Sequence, residues 1–600
     1  MANDNHLFSV TCYNVTMQKQ DYYNEFFELG QQKINFSFYE LGLPSDDPVY
    51  TLKNVMEDLD YSSLFARYSD KGRKGFNPIM KYAVVTYANM RGIRSVDRIV
   101  ELCQRDLAFI WLTQGQKPKR DAFYDFIDNK LTGEVLEDLH YQFIRRLEKE
   151  GLVTLKALFI DGTKIEANAN RYTFVWRGSL NYHLAGLLDT IDALYARYNR
   201  LLAENGYDVK YELPAAQMFI IEGMDKVREV IERNRSHKLT KHKKIPNNTC
   251  IEMDSCSPLE ILKLMTNLTK IANGEGIAFE AGKGRRKPEI QKLYEELEEC
   301  GGRLMKYKEC FENMGKERNS YSKTDIEATF MRMKEDHMRN GQLKPAYNVQ
   351  IAVENYFIIH TYVSADRTDY NTMIPVLKKH RAAFGKYPEE ATADSGYCSE
   401  KNLHFNKEHS IRSYIKLQTH EKMKTRAYKN DIGKHYNMEK VVDGDAHCYR
   451  CHDGRDLRHI RTETRKQGDY IQTFEVYGCK DCSGCPHKAK CLYKYDEQTD
   501  QDKNKIMKIN EYWEELQAES HANIISGEGI LNRQIRSIQT EGHFGDIKEN
   551  EEFRRFHYRS KDKVYKEFLL YAIGRNVNKY HRFLNGTLKK FEGKTEQTAA

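Results

Sequence analysis

Leu158-Phe159-Ile160-Asp161-Gly162-Thr163-Lys164 is the stretch that decides how this chain folds. A short apolar run ends in a carboxylate and a glycine follows at once. That pattern predicts a buried strand delivering Asp161 to a sheet edge. One such acid is ordinarily a turn cap, but two others change its meaning. A second small-residue strand, Ala391-Thr392-Ala393-Asp394-Ser395-Gly396-Tyr397, ends on Asp394. A late helix carries Glu541 in Ser537-Ile538-Gln539-Thr540-Glu541-Gly542-His543-Phe544-Gly545. Three acids on two strands and a helix make a candidate site for two divalent cations. Mg²⁺ prefers carboxylate, phosphate and water oxygens, and a metal pair ~4 Å apart suits in-line displacement at phosphorus.

Outward from Asp161, the sheet pattern returns at Tyr347-Asn348-Val349-Gln350-Ile351-Ala352-Val353. Asn355-Tyr356 makes a turn and Phe357 to Val363 runs back, which predicts a hairpin. Asp366 and Asp369 read as caps of a loop and of a helix containing Met373, Val376 and Leu377. The Asp394 strand, another helix and Tyr414-Ile415-Lys416-Leu417 follow. Strand, insertion, hairpin, helix, strand, helix, strand describes a mixed α/β sheet, antiparallel early and joined by helical crossovers later.

On the third acid's helix, Ile535, Ile538, Glu541 and Phe544 recur at three-residue steps, which sets Glu541 beside the apolar stripe. A carboxylate there is expected to be paired, metal-bound or protonated, because burying a bare charge is costly. Arg536 lies about one turn before it and Lys548 two turns after. Gly542 and Gly545 each weaken a helix by about 1 kcal/mol relative to Ala, which suggests close approach of backbone or ligand.

Around this core the chain divides by composition. Residues 1–70 are tyrosine-rich, irregular and acidic, and read as a cap or partner-contact region. Residues 71–150 read as a helical unit, either a helix-turn-helix-like DNA-binding domain or an ordinary helical domain that touches no DNA: Asn77-Pro78 starts one helix, Ser95 caps the next, and a third begins near Asp121 after a basic turn holding Lys119 and Arg120. Residues 151–179 and 326–440 form the α/β core. Residues 180–325 read as a helical insertion, with a basic patch at His237–Lys244. Residues 441–500 form a Cys-rich insertion, and 501–590 the Glu541 helix and basic helices.

Net charge is only +7, but residues 548–590 hold 12 Lys/Arg against 5 Asp/Glu, so a basic segment follows the third acid. Phe553-Arg554-Arg555-Phe556 interleaves aromatics and cations, which suits a nucleic-acid partner. With 39 Tyr and 27 Phe the chain has ample material for a core. No apolar run is long enough to span a membrane and no signal-peptide pattern opens the chain.

Of 13 Cys, seven are scattered, an odd number that fits reduced thiols. The other six follow Cys448-x2-Cys451 and Cys479-x2-Cys482-x2-Cys485-x5-Cys491. Pairs at x2 spacing predict a zinc-ribbon-like structural Zn²⁺ site. Six thiols exceed the four that one Zn²⁺ takes, so the ligands are a subset. The Cys-x2-Cys-x2-Cys run also has an iron–sulfur spacing.

Five motifs in order resemble the DDE transposases of bacterial insertion sequences, in the insertion-sequence-four-like group. They are Asp161-Gly162-Thr163-Lys164, Tyr347-Asn348-Val349-Gln350, Ala393-Asp394-Ser395-Gly396-Tyr397, Cys482-Ser483-Gly484-Cys485-Pro486, and Glu541-Gly542-His543-Phe544-Gly545 with Lys548. The resemblance spans about residues 70–580. The family signature Tyr-x2-Arg-x3-Glu-x6-Lys is kept in part. Glu541 and Lys548 keep its spacing, Ser537 holds the Arg position with Arg536 one residue off, and Gln534 holds the Tyr position.

The resemblance implies an RNase H-like catalytic core, with Asp161, Asp394 and Glu541 binding two Mg²⁺ (or Mn²⁺) ions. It implies cleavage at transposon ends and strand transfer into target DNA. Lys548, Arg536, Arg554, Arg555, Lys119 and Arg120 would then contact DNA. A homodimer in the DNA complex is expected, since two ends must be joined, and a cytoplasmic, nucleoid-associated location. Two other readings remain: a structure-specific nuclease of the same fold, and a non-catalytic DNA-binding regulator.

Overall fold

The computed structural model describes residues 42–69, 75–206, 258–282, 284–315, 318–333, 342–443, 446–467 and 469–589. Residues 1–41 of the expected cap, the basic patch at His237–Lys244, and Cys12, Cys250 and Cys256 lie outside the described residues.

Helices α1 (Pro48–Glu57), α2 (Pro78–Met90), α3 (Val96–Arg105), α4 (Leu107–Thr113) and α5 (Gly133–Lys149) precede the first strand. The start of α2 follows from its residues. The Asn77 side chain accepts from the Ile79 N–H at 2.8 Å, and Pro78, which has no N–H to satisfy, takes the first helical position. Ser95 stands at the start of α3, but its side chain makes no capping bond. Every residue of α2 is buried, including Lys81, whose ammonium lies 4.9 Å from the Phe126 ring centroid. Burial pushes that ammonium down to about 8, against the charge of Asp125.

Strand β1 (Ala157–Glu166) carries Asp161 and leads to β2 (Phe174–Trp176). Helices α6 (Arg177–Asn205), α7 (Pro258–Gly274) and α8 (Glu289–Met314) then share a core of their own, built on Leu187, Ile191, Leu264, Leu268, Leu293 and Leu297. Strand β3 (Ser320–Ser322) pairs with β2 and closes the base of this insertion.

Strands β4 (Thr329–Arg332), β5 (Leu343–Glu354) and β6 (Phe357–Ser364) return to the main sheet. Asn355 and Tyr356 turn β5 into β6 with φ of 47° and 69°, the left-handed pair that a two-residue hairpin requires. Helix α9 (Met373–Phe384) crosses to β7 (Glu390–Ala393), and α10 (Glu400–Glu408) to β8 (Arg412–Ile415). The sheet order is β4-β5-β1-β7-β8, with β6 also on β5. Strand β5 is antiparallel to β1, β4 and β6, whereas β1, β7 and β8 are mutually parallel.

Both faces of this mixed α/β sheet are covered, so β5 is buried without interruption from Pro345 to Glu354 instead of alternating. Leu158, Ile160 and Ala352 face the helices α1–α5 and α9. Ile165, Val349, Ile351 and Val353 face Ile547, Phe553, Phe568 and Tyr571 from the C-terminal segment.

The Cys-rich region is wider than the expected 441–500 ribbon. It is a five-stranded antiparallel sheet of β9 (Glu439–Asp443), β10 (Ala446–Arg450), β11 (Asp456–Gln467), β12 (Tyr470–Cys479) and β13 (Ile506–Ile509), in the order β13-β12-β11-β10-β9. It docks on α10 through buried Glu400, which accepts from the Tyr470 hydroxyl at 3.1 Å, Gln472 Nε2 at 2.6 Å and Asn510 Nδ2 at 2.8 Å.

Helices α11 (Glu511–Ile525) and α12 (Gly527–Arg536) lead to the Glu541 segment, and α13 (Lys561–Leu584) closes the fold. Helix α13 packs along α2, where a Cβ on Gly574 would come within 2.7 Å of the Met90 nitrogen. No helix among the described residues is long and apolar enough to cross a membrane.

Candidate active site

Strands β1 and β7 run in parallel with Phe159 opposite Thr392, and Asp161 and Asp394 each lie two residues further on. Register alone therefore brings the first two acids to the same edge. Asp161 is buried. Its Oδ1 accepts from the Gly162 N–H at 2.8 Å, and its Oδ2 accepts from Arg536 Nη1 at 2.8 Å and the Thr540 hydroxyl at 2.9 Å. The Asp394 Oδ1 accepts from the Gly396 N–H at 2.8 Å, capping the turn Ser395–Tyr397. Burial first, and then the neighbouring Asp161 charge, push the Asp394 carboxyl up, while the Gly396 N–H and Arg536 hold it down.

Glu541 joins this group through Arg536, whose Nη2 lies 3.8 Å from Glu541 Oε1. The guanidinium therefore stands between the first and third acids. Glu541 does not lie beside the apolar stripe as expected. Its side chain is 62% exposed, and Ile538 is exposed too. The cause is helix phase. Ser537–Glu541 and Asp546–Asn550 are π-helical turns on either side of the single α turn Gly542–Gly545. A π turn holds more residues than an α turn, so a periodicity of 3.6 misplaces every residue after it. The buried face is Gln539, Thr540, His543 and Ile547, and Thr540 takes the inward position next to Asp161. Gln539 and His543 anchor the segment on the hairpin turn, on the Tyr356 N–H at 3.2 Å and the Tyr356 carbonyl at 2.9 Å. Close packing does not explain Gly542 and Gly545, since a Cβ at either would meet nothing within 4 Å.

Asp369, expected to cap a helix, lies beside Asp394 instead. Thr372 takes the position before α9, and the Asp369 side chain turns into the sheet edge. Its Oδ1 accepts from Asn348 Nδ2 at 2.8 Å and Gln350 Nε2 at 2.9 Å. The buried Tyr397 hydroxyl donates to the Gln350 side-chain Oε1. A signal for this network was present: Asn348 and Gln350 are two polar residues on one face of an otherwise apolar strand.

Most of the expected DNA-contacting cations are engaged within the protein. Arg536 pairs with Asp161, Arg120 with Asp97 at 3.0 Å and Arg554 with Glu549 at 2.6 Å. Arg555 donates to the Ala169 carbonyl at 3.2 Å and lies 3.9 Å from Glu166. Lys119 precedes the short helix Arg120–Asp125, and Lys548 is buried. The Arg120 and Arg554 pairs are exposed to solvent and weakly held, so an anion can replace those acids at small cost.

In the Cys-rich sheet, Cys479 and Cys482 pack with Tyr449, Leu457, Tyr477, Met507 and Ile509, with Cys451 against them. The Cys482 Sγ accepts from the Lys505 N–H at 3.3 Å. Cys448 precedes inward-facing Tyr449 on β10 and so lies on the other face. Burial, with Cys482 beside it, pushes the Cys479 thiol up to about 11. Among the described residues no group of three or more His, Cys, Asp or Glu is arranged to hold a metal ion. The expected three-acid site and the expected zinc site are therefore not closed in this arrangement. At the acids the reason is visible, since the Arg536 guanidinium fills the space between Asp161 and Glu541. As a donor set, Asp161, Asp394 and Glu541 offer the hard oxygens that a divalent cation prefers.

Two protein families match the chain. Transposase DDE domain matches residues 450–581, which include Arg536, Glu541 and Lys548, and Transposase domain (DUF772) matches residues 38–129. Neither span reaches Asp161 or Asp394. No curated protein and no solved structure gave a match.

Proposed function

The two family matches indicate an insertion-sequence DDE transposase, and on that premise we propose that the chain cuts DNA at the ends of its element and joins them to target DNA. The observation that carries this reading is the juxtaposition of Asp161 and Asp394 on adjacent parallel strands, with Arg536 reaching Asp161 from the segment that holds Glu541. The sheet order β6-β5-β1-β7-β8, antiparallel then parallel, supports an RNase H-like core.

Asp161 and Asp394 would hold two Mg²⁺ or Mn²⁺ ions between them and Glu541 would complete one site. When bound, such a pair activates water or a 3′-hydroxyl and neutralises the leaving oxygen. The chain's own residues do the rest. Thr540 and the Gly162 N–H fix the orientation of the Asp161 carboxylate, and the Gly396 N–H fixes that of Asp394. With no cation bound, Arg536 neutralises the acids. Released, it would join Lys548 in holding phosphates near the scissile bond. Arg554, Arg555, Lys119 and Arg120 would contact DNA, with residues 71–150 as the helical DNA-binding region. A homodimer would hold the two ends. Four of the six clustered cysteines would bind a structural Zn²⁺.

The test is a set of single changes, Asp161→Asn, Asp394→Asn and Glu541→Gln, assayed with Mg²⁺ on a plasmid carrying the DNA that flanks the gene. Each is expected to lower cleavage and joining at least 100-fold, and near-wild-type activity in any one would remove that residue from the site. A second reading, a DNA-binding regulator, draws on the guanidinium that fills the acid cluster. Binding to that DNA with no cleavage under Mn²⁺ in the unmodified protein would favour it.

A further inference from the structure

Asp369 lies outside the three acids, yet its Oδ1 accepts two hydrogen bonds from β5. Gly162 is opposite Gln350 in the β1–β5 register, and side chains alternate along β1. Asp161 therefore points to one face with Ile351, and Gly162 faces the other. On that other face no side chain fits at position 162. A Cβ there would stand 2.3 Å from Gln350 Nε2 and 2.9 Å from Asp369 Oδ1. The second oxygen lies against the turn of the second acid, since a Cβ at Gly396 would lie 3.2 Å from Asp369 Oδ2 and 2.9 Å from Asp394 Oδ1. Asp369 is thus wedged between the residue after Asp161 and the turn that caps Asp394. It is held there by Asn348 and Gln350, and Gln350 is itself held by the Tyr397 hydroxyl. Helix α10 ties the same loops from outside, where Asn402 Nδ2 donates to the Tyr370 carbonyl at 2.9 Å and the Tyr397 carbonyl at 2.8 Å.

We propose that Asp369 is a positioning residue which sets the separation of Asp161 and Asp394 by bridging Gly162 and Gly396 from the opposite face of the sheet. This deepens the reading of the acids as a cation site and rests on it. The bridge works through hydrogen bonds accepted by Oδ1 and through the shape of the carboxyl group, not through its charge. An amide of the same shape preserves it, and a methyl group does not. Gly162 belongs to the same device, because any side chain there displaces Gln350 and Asp369 together.

The experiment measures Mn²⁺ binding to the full chain without DNA, by the loss of the free Mn²⁺ resonance signal. Cleavage of a plasmid carrying the flanking DNA is followed in parallel. Asp369→Ala and Gly162→Ala are each expected to weaken Mn²⁺ binding about tenfold and to lower kcat more than KM. Asp369→Asn is expected to stay within threefold of wild type in both. Asp369→Asn folds in the same shape, so its result stands even where an alanine variant is poorly folded. An Asp369→Asn protein as impaired as Asp369→Ala overturns the proposal, since the charge would then be what matters. Wild-type Mn²⁺ binding in Asp369→Ala overturns it as well. Asp161→Asn separates the two readings. If it binds Mn²⁺ like wild type, the cation site itself is misassigned. If it loses Mn²⁺ while Asp369→Ala does not, only the bridge fails.

Discussion

Replacing Arg536 by alanine tests the arrangement at its most charged point. The guanidinium lies 2.8 Å from Asp161 Oδ2, and the two side chains are only 15% and 11% exposed. Removing one partner of such a pair leaves a carboxylate in a poorly solvated place and costs about 3–5 kcal/mol. Asp161 keeps the Thr540 hydroxyl and the Gly162 N–H, so the lower end, about 3 kcal/mol, is expected. The loss should be largest without divalent cations. In wild type an arriving Mg²⁺ must displace the guanidinium, whereas in the variant it meets bare acids. A ligand at 100 times its Kd adds about 2.7 kcal/mol, so saturating Mg²⁺ should return most of what Arg536→Ala removes. The assay is thermal unfolding of both proteins across a Mg²⁺ series, with Asp161→Asn and the double variant completing a mutant cycle. Equal stabilities without cation, or equal shifts on adding it, would refute the placement of Arg536 on Asp161.

Two further outcomes follow from the surrounding core. His360 on β6 is buried with His140 of α5 and His380 of α9, with His360 Nε2 and His380 Nδ1 2.9 Å apart, and burial lowers His140 and His380 to about 4. Their folded values lie below the unfolded ~6.5, so the unfolded chain takes protons first. Stability is therefore intact above ~6.5 and falls between there and 4 by up to about 1.4 kcal/mol per pH unit per group. Urea midpoints that stay level from pH 7 to pH 5 would contradict this. At the α2–α13 crossing, Gly574→Ala places a methyl 2.7 Å from the Met90 nitrogen and should destabilise by about 1–3 kcal/mol. An unchanged melting temperature would mean that the helices do not cross so closely.

How much of this was legible in the sequence depends on how local each cause is. Asn77-Pro78 and Asn355-Tyr356 carry their conformations in their own chemistry, and both formed as expected. The strand ends at Asp161 and Asp394 were legible because an apolar run ending in an acid beside glycine marks a strand end wherever it pairs. The direction of Glu541 was not legible, because the π turn Ser537–Glu541 changes the phase of its helix and no residue in it announces the turn. Asp369 was missed for another reason. Its role is fixed by Gln350 and Gly396, contacts made across the sheet, and a cap near a helix start looks the same in sequence. The five-stranded pairing of the Cys-rich sheet was hidden because half the residues of β11, Asp456–Gln467, are charged and it shows no buried alternation.

The closing helix α13 has a consequence for how the molecule is made. It covers α2, and Asn576 exchanges hydrogen bonds with the Ile358 backbone, N–H and carbonyl each at 2.8 Å. During synthesis, the apolar flank of α2 emerges from the ribosome hundreds of residues before its lid. At about 5–20 residues per second, that leaves it bare for tens of seconds. The nascent chain thus carries an uncovered apolar flank over that interval, and the site at the edge of β1 and β7 matures only after α13 has been made.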